Sequence, residues 1–263
     1  MTATTPSITT NAREYAFTLP IGVQTEDGQL HRDGALRKMN GHDEAILADP
    51  RYQRNGGQLV TELLHSCVTG ISGIEQLTKS TFASMYSADR NFLLLKIRSF
   101  TFGAELQANY TCPSCGNTMQ VYENLEELPV RELAGGELPD RIEVELVDGY
   151  VDRDNKTHTQ LELRLPTGAD EQAVAAQMRK NASLGKNALL ARCIVRFSDL
   201  EQKRVKALGP RIMSDLTMSD RRLIDRSLNA GAPGIDLIRD HECVHCGHEF
   251  KASMDMTHFL ELE

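Results

Sequence analysis

Apolar residues recur along this chain with two different periods, which predicts that it contains both strands and helices. Residues 14–19 alternate between apolar and polar side chains and predict a strand that Pro20 ends. The dipeptide Asp27-Gly28 is typical of a tight hairpin turn. Residues 34–47 carry a helical mixture of apolar side chains, so we expect short helices after this first hairpin.

Longer stretches with apolar residues at helical spacing predict the main helices. They are residues 58–68, 87–97, 170–180, 184–195 and 219–228. Ser219 stands where a helix cap is expected, and Asp220 in the first turn suits the positive end of a helix dipole.

Alternating stretches predict strands around these helices. They are residues 100–110, 117–122, 142–147 and 160–165, and the polar turn between the last two predicts a second hairpin. The predicted fold class is therefore α+β, with helices packed around short β-hairpins.

The same order of elements occurs twice. One series begins with a strand entering Leu19-Pro20 and the other with a strand entering Leu165-Pro166, and each ends in a strand and a Cys-x-x-Cys pair. Duplication of one unit and convergent use of common elements both explain this echo. The predicted organisation is a flexible N-terminal arm (1–13), a first half (14–132) and a second half (133–263).

Composition restricts the classes of partner. The 263 residues are 40% hydrophobic, which is enough to bury one large core or two smaller ones. A formal net charge of -8 argues against general nucleic-acid binding. No apolar run is long enough for a membrane span, and the polar N-terminus does not resemble a signal peptide, so we expect no membrane partner and a reducing cytoplasm.

Four of the six cysteines form two matched pairs, Cys112 with Cys115 and Cys243 with Cys246. A glycine follows each pair directly, and glycine tolerates the positive φ that a tight metal-binding turn often requires. Apolar residues after each turn predict a return strand, which places each pair at the tip of a hairpin. We expect the four thiolates to bind one structural Zn2+ ion, about 2.3 Å from each sulfur, as a split zinc ribbon.

Thiol redox chemistry is one alternative, since Cys112-Pro-Ser-Cys115 resembles a redox C-P-x-C motif. A redox pair of that type normally opens a helix, whereas a strand is predicted here. The remaining cysteines, Cys67 and Cys193, lie on apolar helix faces and are interpreted as core thiols.

A separate metal site at the second pair is another alternative. The histidines that would complete it are His241, His245 and His248. The first pair has no histidine nearby, so one shared site explains more of the sequence.

The sequence offers little support for catalysis. A zinc ion held by four thiolates has no open position for water. The chain contains no H-E-x-x-H, Walker A, G-x-G-x-x-G or G-x-S-x-G motif. The carboxylate clusters at residues 42–44 and 152–154 are interpreted as solvated turns or caps, and we expect a protein that is not an enzyme.

Several of these features occur together, and in the same order, in a known family. They are the strand entering Leu19-Pro20, the stretch Arg98–Gly103 running into Cys112-Pro-Ser-Cys115, the helix from Ser219, Pro233–Asp236, Cys243-Val-His-Cys246 and Asp255–Phe259. From Glu14 to Phe259 the chain resembles the T4-like bacteriophage base plate protein family of contractile tails.

The resemblance implies a component or assembly factor of the base plate hub, with other base plate or hub subunits as partners. It implies the host bacterial cytoplasm during assembly, and the virion tail base plate as a second location. A zinc-ribbon module for nucleic acid or transcription machinery and a thiol oxidoreductase are the alternative functions.

Overall fold

The computed structural model describes residues 13–25, 28–133, 141–230 and 232–254. Elements of the first half are β1 (Glu14–Gln24), β2 (Leu30–Arg37), α1 (Gly41–Ala48), α2 (Pro50–Gln53), α3 (Gly56–Cys67), β3 (Val68–Ile71), α4 (Lys79–Ser84), α5 (Ser87–Phe102), β4 (Glu105–Thr111), β5 (Thr118–Asn124) and β6 (Val130–Arg131). Elements of the second half are β7 (Ile142–Val151), β8 (Thr157–Leu163), α6 (Gly168–Lys180), α7 (Ala182–Cys193), β9 (Ile194–Phe197), α8 (Gln202–Asp215), α9 (Met218–Asn229), β10 (Gly234–Ile235), β11 (Ile238–Glu242) and β12 (Glu249–Ser253). This mixture of helices with several small sheets agrees with the predicted combination of both element types.

Each half contains an antiparallel three-stranded sheet, in the order β1-β2-β3 or β7-β8-β9. The two sheets share their irregularities: β1 has a bulge between Thr18 and Val23, and β7 has one between Glu145 and Tyr150. A register shift also recurs where the middle strand of each sheet pairs with the third. The echo seen in the sequence therefore extends to the details of strand pairing.

The first helix after each middle strand has a buried aspartate in its first turn, and this aspartate pairs with a partly exposed arginine at the end of that strand. Asp43 in α1 accepts two hydrogen bonds from Arg37, at 2.6 and 3.1 Å, and Asp170 in α6 accepts two from Arg164, at 2.7 and 3.0 Å. Both aspartates also complete capping boxes. The prediction of a cap at residues 42–44 is confirmed, but Asp43 is fully buried rather than solvated.

A second pair of aspartates joins each later helix to the bulge of its sheet. Asp89 in α5 accepts hydrogen bonds from two consecutive backbone N–H groups of the β1 bulge, at 2.9 Å each. Asp220 in α9 accepts from Val147 and Gly149 in the β7 bulge, at 2.7 and 2.8 Å. The bulged N–H groups have no strand partner, so these carboxylates satisfy buried donors.

Two main apolar clusters form the cores. One lies between the β1-β2-β3 sheet and α3, α4 and α5, and the other lies between the β7-β8-β9 sheet and α7, α8 and α9. A smaller cluster joins Leu95 of α5 to Met254, just beyond β12. The two halves are thus in contact through apolar side chains as well as through the cysteine hairpins described below.

A buried arginine connects the halves. Arg90 donates from Nε to Glu171 at 3.1 Å, and its other nitrogens donate to the carbonyls of Phe82 and Gly57 at 2.7 and 2.9 Å. The guanidinium lies against Gly168, where a Cβ atom would stand 2.5 Å from it. A side chain at that position would displace the arginine.

Several sequence-based bounds are wrong, among them the end of the first strand, since β1 continues past Pro20 to Gln24. Residues 34–37 belong to β2, not to a helix: Gly34, Ala35 and Leu36 are buried one after another, so the alternation typical of a half-exposed strand is missing there. The strand predicted from residue 100 begins only at Glu105, after α5 has ended at Phe102. The helix predicted over residues 184–195 ends at Cys193, and Val195 lies in β9.

The cap of α9 is also corrected. Thr217, not Ser219, is the N-cap residue, and its hydroxyl accepts from the N–H of Asp220 at 3.2 Å. Helix α8 was not predicted, since Pro210 within it reads as a helix breaker.

Residues 1–12 of the predicted arm and the motif at residues 255–259 lie outside the described residues, as does Asp27 of the first turn. The boundary between the halves at residue 133 stays a prediction.

Candidate metal centre

Each cysteine pair lies at the tip of a two-stranded hairpin, as the sequence predicted. Strands β4 and β5 carry the first tip, and β11 and β12 carry the second. In both, the N–H of the glycine after the pair donates to the carbonyl of the first cysteine: Gly116 to Cys112 at 3.0 Å, and Gly247 to Cys243 at 2.8 Å. The φ angles of these glycines are 73° and 69°, in the left-handed region that side chains disfavour.

The two tips meet, and the four sulfur atoms form one cluster. Sγ of Cys112 lies 3.8 Å from Sγ of Cys246, and Sγ of Cys115 lies 3.7 Å from Sγ of Cys243. All four sulfurs lie within 4.8 Å of one another. Four ligands placed about 2.3 Å from a central ion in a tetrahedron stand about 3.8 Å apart. The spacing therefore fits a metal ion at the centre.

Backbone donors favour the thiolate form at the first cysteine of each pair. N–H groups of Cys115 and Ser114 lower the pKa of Cys112, and those of His245 and Cys246 lower the pKa of Cys243 to about 7. Thiolates are the metal-binding form of cysteine, so the backbone N–H groups of each turn stabilise the form that can bind a metal ion.

The fourth thiol behaves differently. The His248 N–H lowers the pKa of Cys246, but burial and hydrogen bonds with the three other cysteines outweigh it and raise that pKa to about 12. A bound cation would favour the thiolate form of Cys246, because its positive charge offsets the charge of the neighbouring sulfurs.

Side chains beneath the cluster hold the hairpins together. The rings of Tyr110 in β4 and His241 in β11 lie 3.9 Å apart between centroids. Tyr110 donates to the buried carboxylate of Glu123 at 3.1 Å, and Arg239 forms an ion pair with the same carboxylate at 3.4 Å. Sequence reasoning missed Glu123, because the residues that it joins lie in two distant hairpins.

The alternatives for the cysteines fare less well. Strand β5 begins at Thr118, three residues after Cys115, where a redox C-P-x-C pair would open a helix. Within the described residues, the four cysteines are the one group of three or more candidate metal ligands that converge, and no histidine belongs to it. Cys67 and Cys193 are buried at the ends of α3 and α7, and burial raises the pKa of each to about 12, as expected of core thiols.

Comparison with known proteins gives one match. The model of a family described as T4 bacteriophage base plate protein matches residues 12–261. No curated protein and no solved structure matches the chain. Among the described residues, no helix is long and apolar enough to cross a membrane.

Proposed function

The chain belongs to the T4 bacteriophage base plate protein family, and we propose that it is a structural or assembly protein of the base plate hub of a contractile phage tail or related injection machine. The family match over nearly the whole chain is the observation that carries this proposal. The base plate is part of the virion tail, and the proposed partners are other base plate or hub subunits. The protein would meet them in the host bacterial cytoplasm during assembly.

We further propose that Cys112, Cys115, Cys243 and Cys246 hold one structural Zn2+ ion, which makes the hairpin pair a split zinc ribbon. Thiolates are soft ligands, and a tetrahedral set of four is typical of zinc or of iron–sulfur centres. With four protein ligands the site is closed. The ion would therefore stabilise the joined hairpins rather than activate water, which supports a function without catalysis.

The first experiment measures the metal content of purified protein by elemental analysis. We expect about one zinc per chain, with loss of the metal in both Cys112→Ser and Cys246→Ser, because one ion is shared between the two pairs. Cys193→Ala is the matched control and should retain it. Iron in place of zinc, or a variant of one pair that keeps its metal, would contradict the shared zinc site.

The second experiment tests the role in the tail. Phage that lack this protein should form no complete base plates by electron microscopy, and supplying the protein in trans should restore them. Normal tails without it would overturn the structural proposal. A zinc-ribbon module for nucleic acid would instead show binding that weakens steeply with salt.

A further inference from the structure

The halves of the chain meet head to tail: two different surfaces of the same repeated unit are in contact. Residues 85–90 of the first half bind residues 166–171 of the second. Gly168 N–H donates to the carbonyl of Met85 at 3.0 Å, and Ser87 N–H donates to that of Pro166 at 2.9 Å. The ion pair of Arg90 with Glu171 completes this contact.

Each surface has a counterpart in the other half. Asp89 and Asp220 bind the equivalent bulges, so Arg221 stands in α9 where Arg90 stands in α5. Asp43 and Asp170 make the equivalent capping pairs, so Glu44 corresponds likewise to Glu171. Residues 216–221 are thus the second copy of one surface, and residues 39–44 are the second copy of the other.

Within the described part of the chain, these two counterpart surfaces do not meet, and several of their polar groups have no hydrogen-bond or ion-pair partner. Nε of Arg221 is buried without a hydrogen-bond partner. Glu44 is exposed and forms no ion pair with any described residue. Gly41 N–H and the carbonyl of Leu216, which correspond to the Gly168–Met85 bond, have no described partner either.

Apolar side chains are exposed at residues 216–221 and next to them. Met218 stands where Ser87 stands in the first half, and 63% of its surface is exposed. Val147, whose N–H binds Asp220, is 76% exposed. At the corresponding position of β1, Pro20 is buried, and its carbonyl accepts the N–H of Leu133 at 3.0 Å. Met218 is therefore exposed where the first half contacts residues 166–171, and Val147 beside it is exposed where Leu133 covers Pro20 in the first half.

We propose that a second copy of this chain covers residues 216–221 of its neighbour with its own residues 39–44. Arg221 then pairs with Glu44 of the other copy, and Gly41 N–H donates to the Leu216 carbonyl across the interface. Such an interface is heterologous, so repetition builds a closed ring or an open chain of copies. This inference goes beyond the base plate proposal and does not depend on the metal.

One internal contact has no counterpart. Gln172 donates to Thr61 at 2.6 Å between the halves, but Ala45 follows Glu44 where Gln172 follows Glu171. The contact between copies is therefore weaker than the contact within one chain, and it should appear as a concentration-dependent equilibrium.

Sedimentation of the full-length protein over a wide concentration range tests the proposal. We expect reversible association that Glu44→Arg or Arg221→Glu weakens at least about tenfold, because each places like charges opposite each other. An equimolar mixture of the two variants should associate again, since the introduced arginine of one variant then faces the introduced glutamate of the other. Arg222→Glu, at an exposed position of the same helix, is the control and should associate like the wild type.

Far-UV circular dichroism establishes that each variant is folded. If Arg221→Glu does not fold, Glu44→Arg at its exposed position carries the test alone. A wild-type protein that stays monomeric at every concentration would overturn the proposal, and so would association that Glu44→Arg leaves unchanged.

Discussion

Arg90 and Glu171 form an ion pair between the two halves of the chain, with Nε of the arginine 3.1 Å from Oε2 of the glutamate. The arginine side chain is fully buried, whereas the glutamate side chain is 27% exposed. The pair is therefore asymmetric. Water can solvate the charge of the glutamate, whereas only protein groups stabilise the charge of the arginine.

The first prediction concerns the buried arginine. Arg90→Ala removes its hydrogen bonds to the carbonyls of Phe82 and Gly57 and opens a cavity beside Gly168. We expect the cavity and the lost hydrogen bonds together to reduce the free energy of unfolding, measured with urea, by about 3–5 kcal/mol. Arg51→Ala removes an exposed ion pair and should change little. Equal effects of both variants would show that the buried position of Arg90 does not matter.

The second prediction concerns the carboxylate that organises the β7 bulge. Asp220→Ala leaves the N–H groups of Val147 and Gly149 unsatisfied, and we expect a loss of about 3 kcal/mol in the free energy of unfolding. Asp215→Ala, at an exposed position in the preceding helix, is the control. Hydrogen exchange at Gly149 should accelerate in Asp220→Ala, and unchanged protection there would contradict the assigned role.

The third prediction concerns pH. Burial raises the pKa of Asp89 to about 6, although two backbone N–H donors and Arg32 oppose it. The folded protein therefore binds this proton more tightly than the unfolded chain, whose aspartate pKa is about 4. Stability from this group is full below about pH 4 and falls as pH rises through about 6. Asp89→Asn should flatten that part of the curve of unfolding free energy against pH.

The fourth prediction has the opposite sign. Burial opposes ionisation of Asp170, but the hydrogen bond from Arg164 and its charge, with the donors of Thr167, lower the pKa overall. Its contribution to stability is present above about pH 4 and is lost as pH falls through the lowered folded pKa. Asp170→Asn should therefore unfold at a higher pH than the wild type on acid titration followed by circular dichroism. An unchanged acid midpoint would remove this residue from the explanation.

The fifth prediction concerns the turns that hold the cysteines. Gly116→Ala meets no neighbouring atom, so its cost is the positive φ alone, about 1–2 kcal/mol. We expect this variant to lose its metal to a weaker chelator than the wild type requires, as measured by competition with a colorimetric chelator. Gly56→Ala is the control, because its Cβ also meets nothing and it lies at the start of α3 with no positive φ.

The cysteine cluster was predictable because its signal is local. Each pair and its glycine lie within five consecutive residues, and one metal site shared by four thiolates requires that the tips converge. The long amphipathic helices were predictable for a similar reason, since the spacing of apolar residues within each segment indicates a helix. Strands β3 and β9 were missed because each has only four residues and follows a helix without a break.

The polar contacts were not predictable because their partners are distant in the chain. A sequence shows Asp220 at a helix start, where the helix dipole explains it well enough. Only the fold shows that its main partners lie in the β7 bulge. The same holds for Arg90, since an arginine beside a helix start gives no sign that it will be fully buried.

With the proposed metal ion bound, the cysteine cluster would determine how the chain carries mechanical load. A metal ion bound there connects the first hairpin directly to the second, through Cys112 and Cys115 on one side and Cys243 and Cys246 on the other. Tension applied to the two ends of the chain would pass through the metal–sulfur bonds. The sheet β7-β8-β9 and its helices, which lie between the hairpins in sequence, would carry none of it.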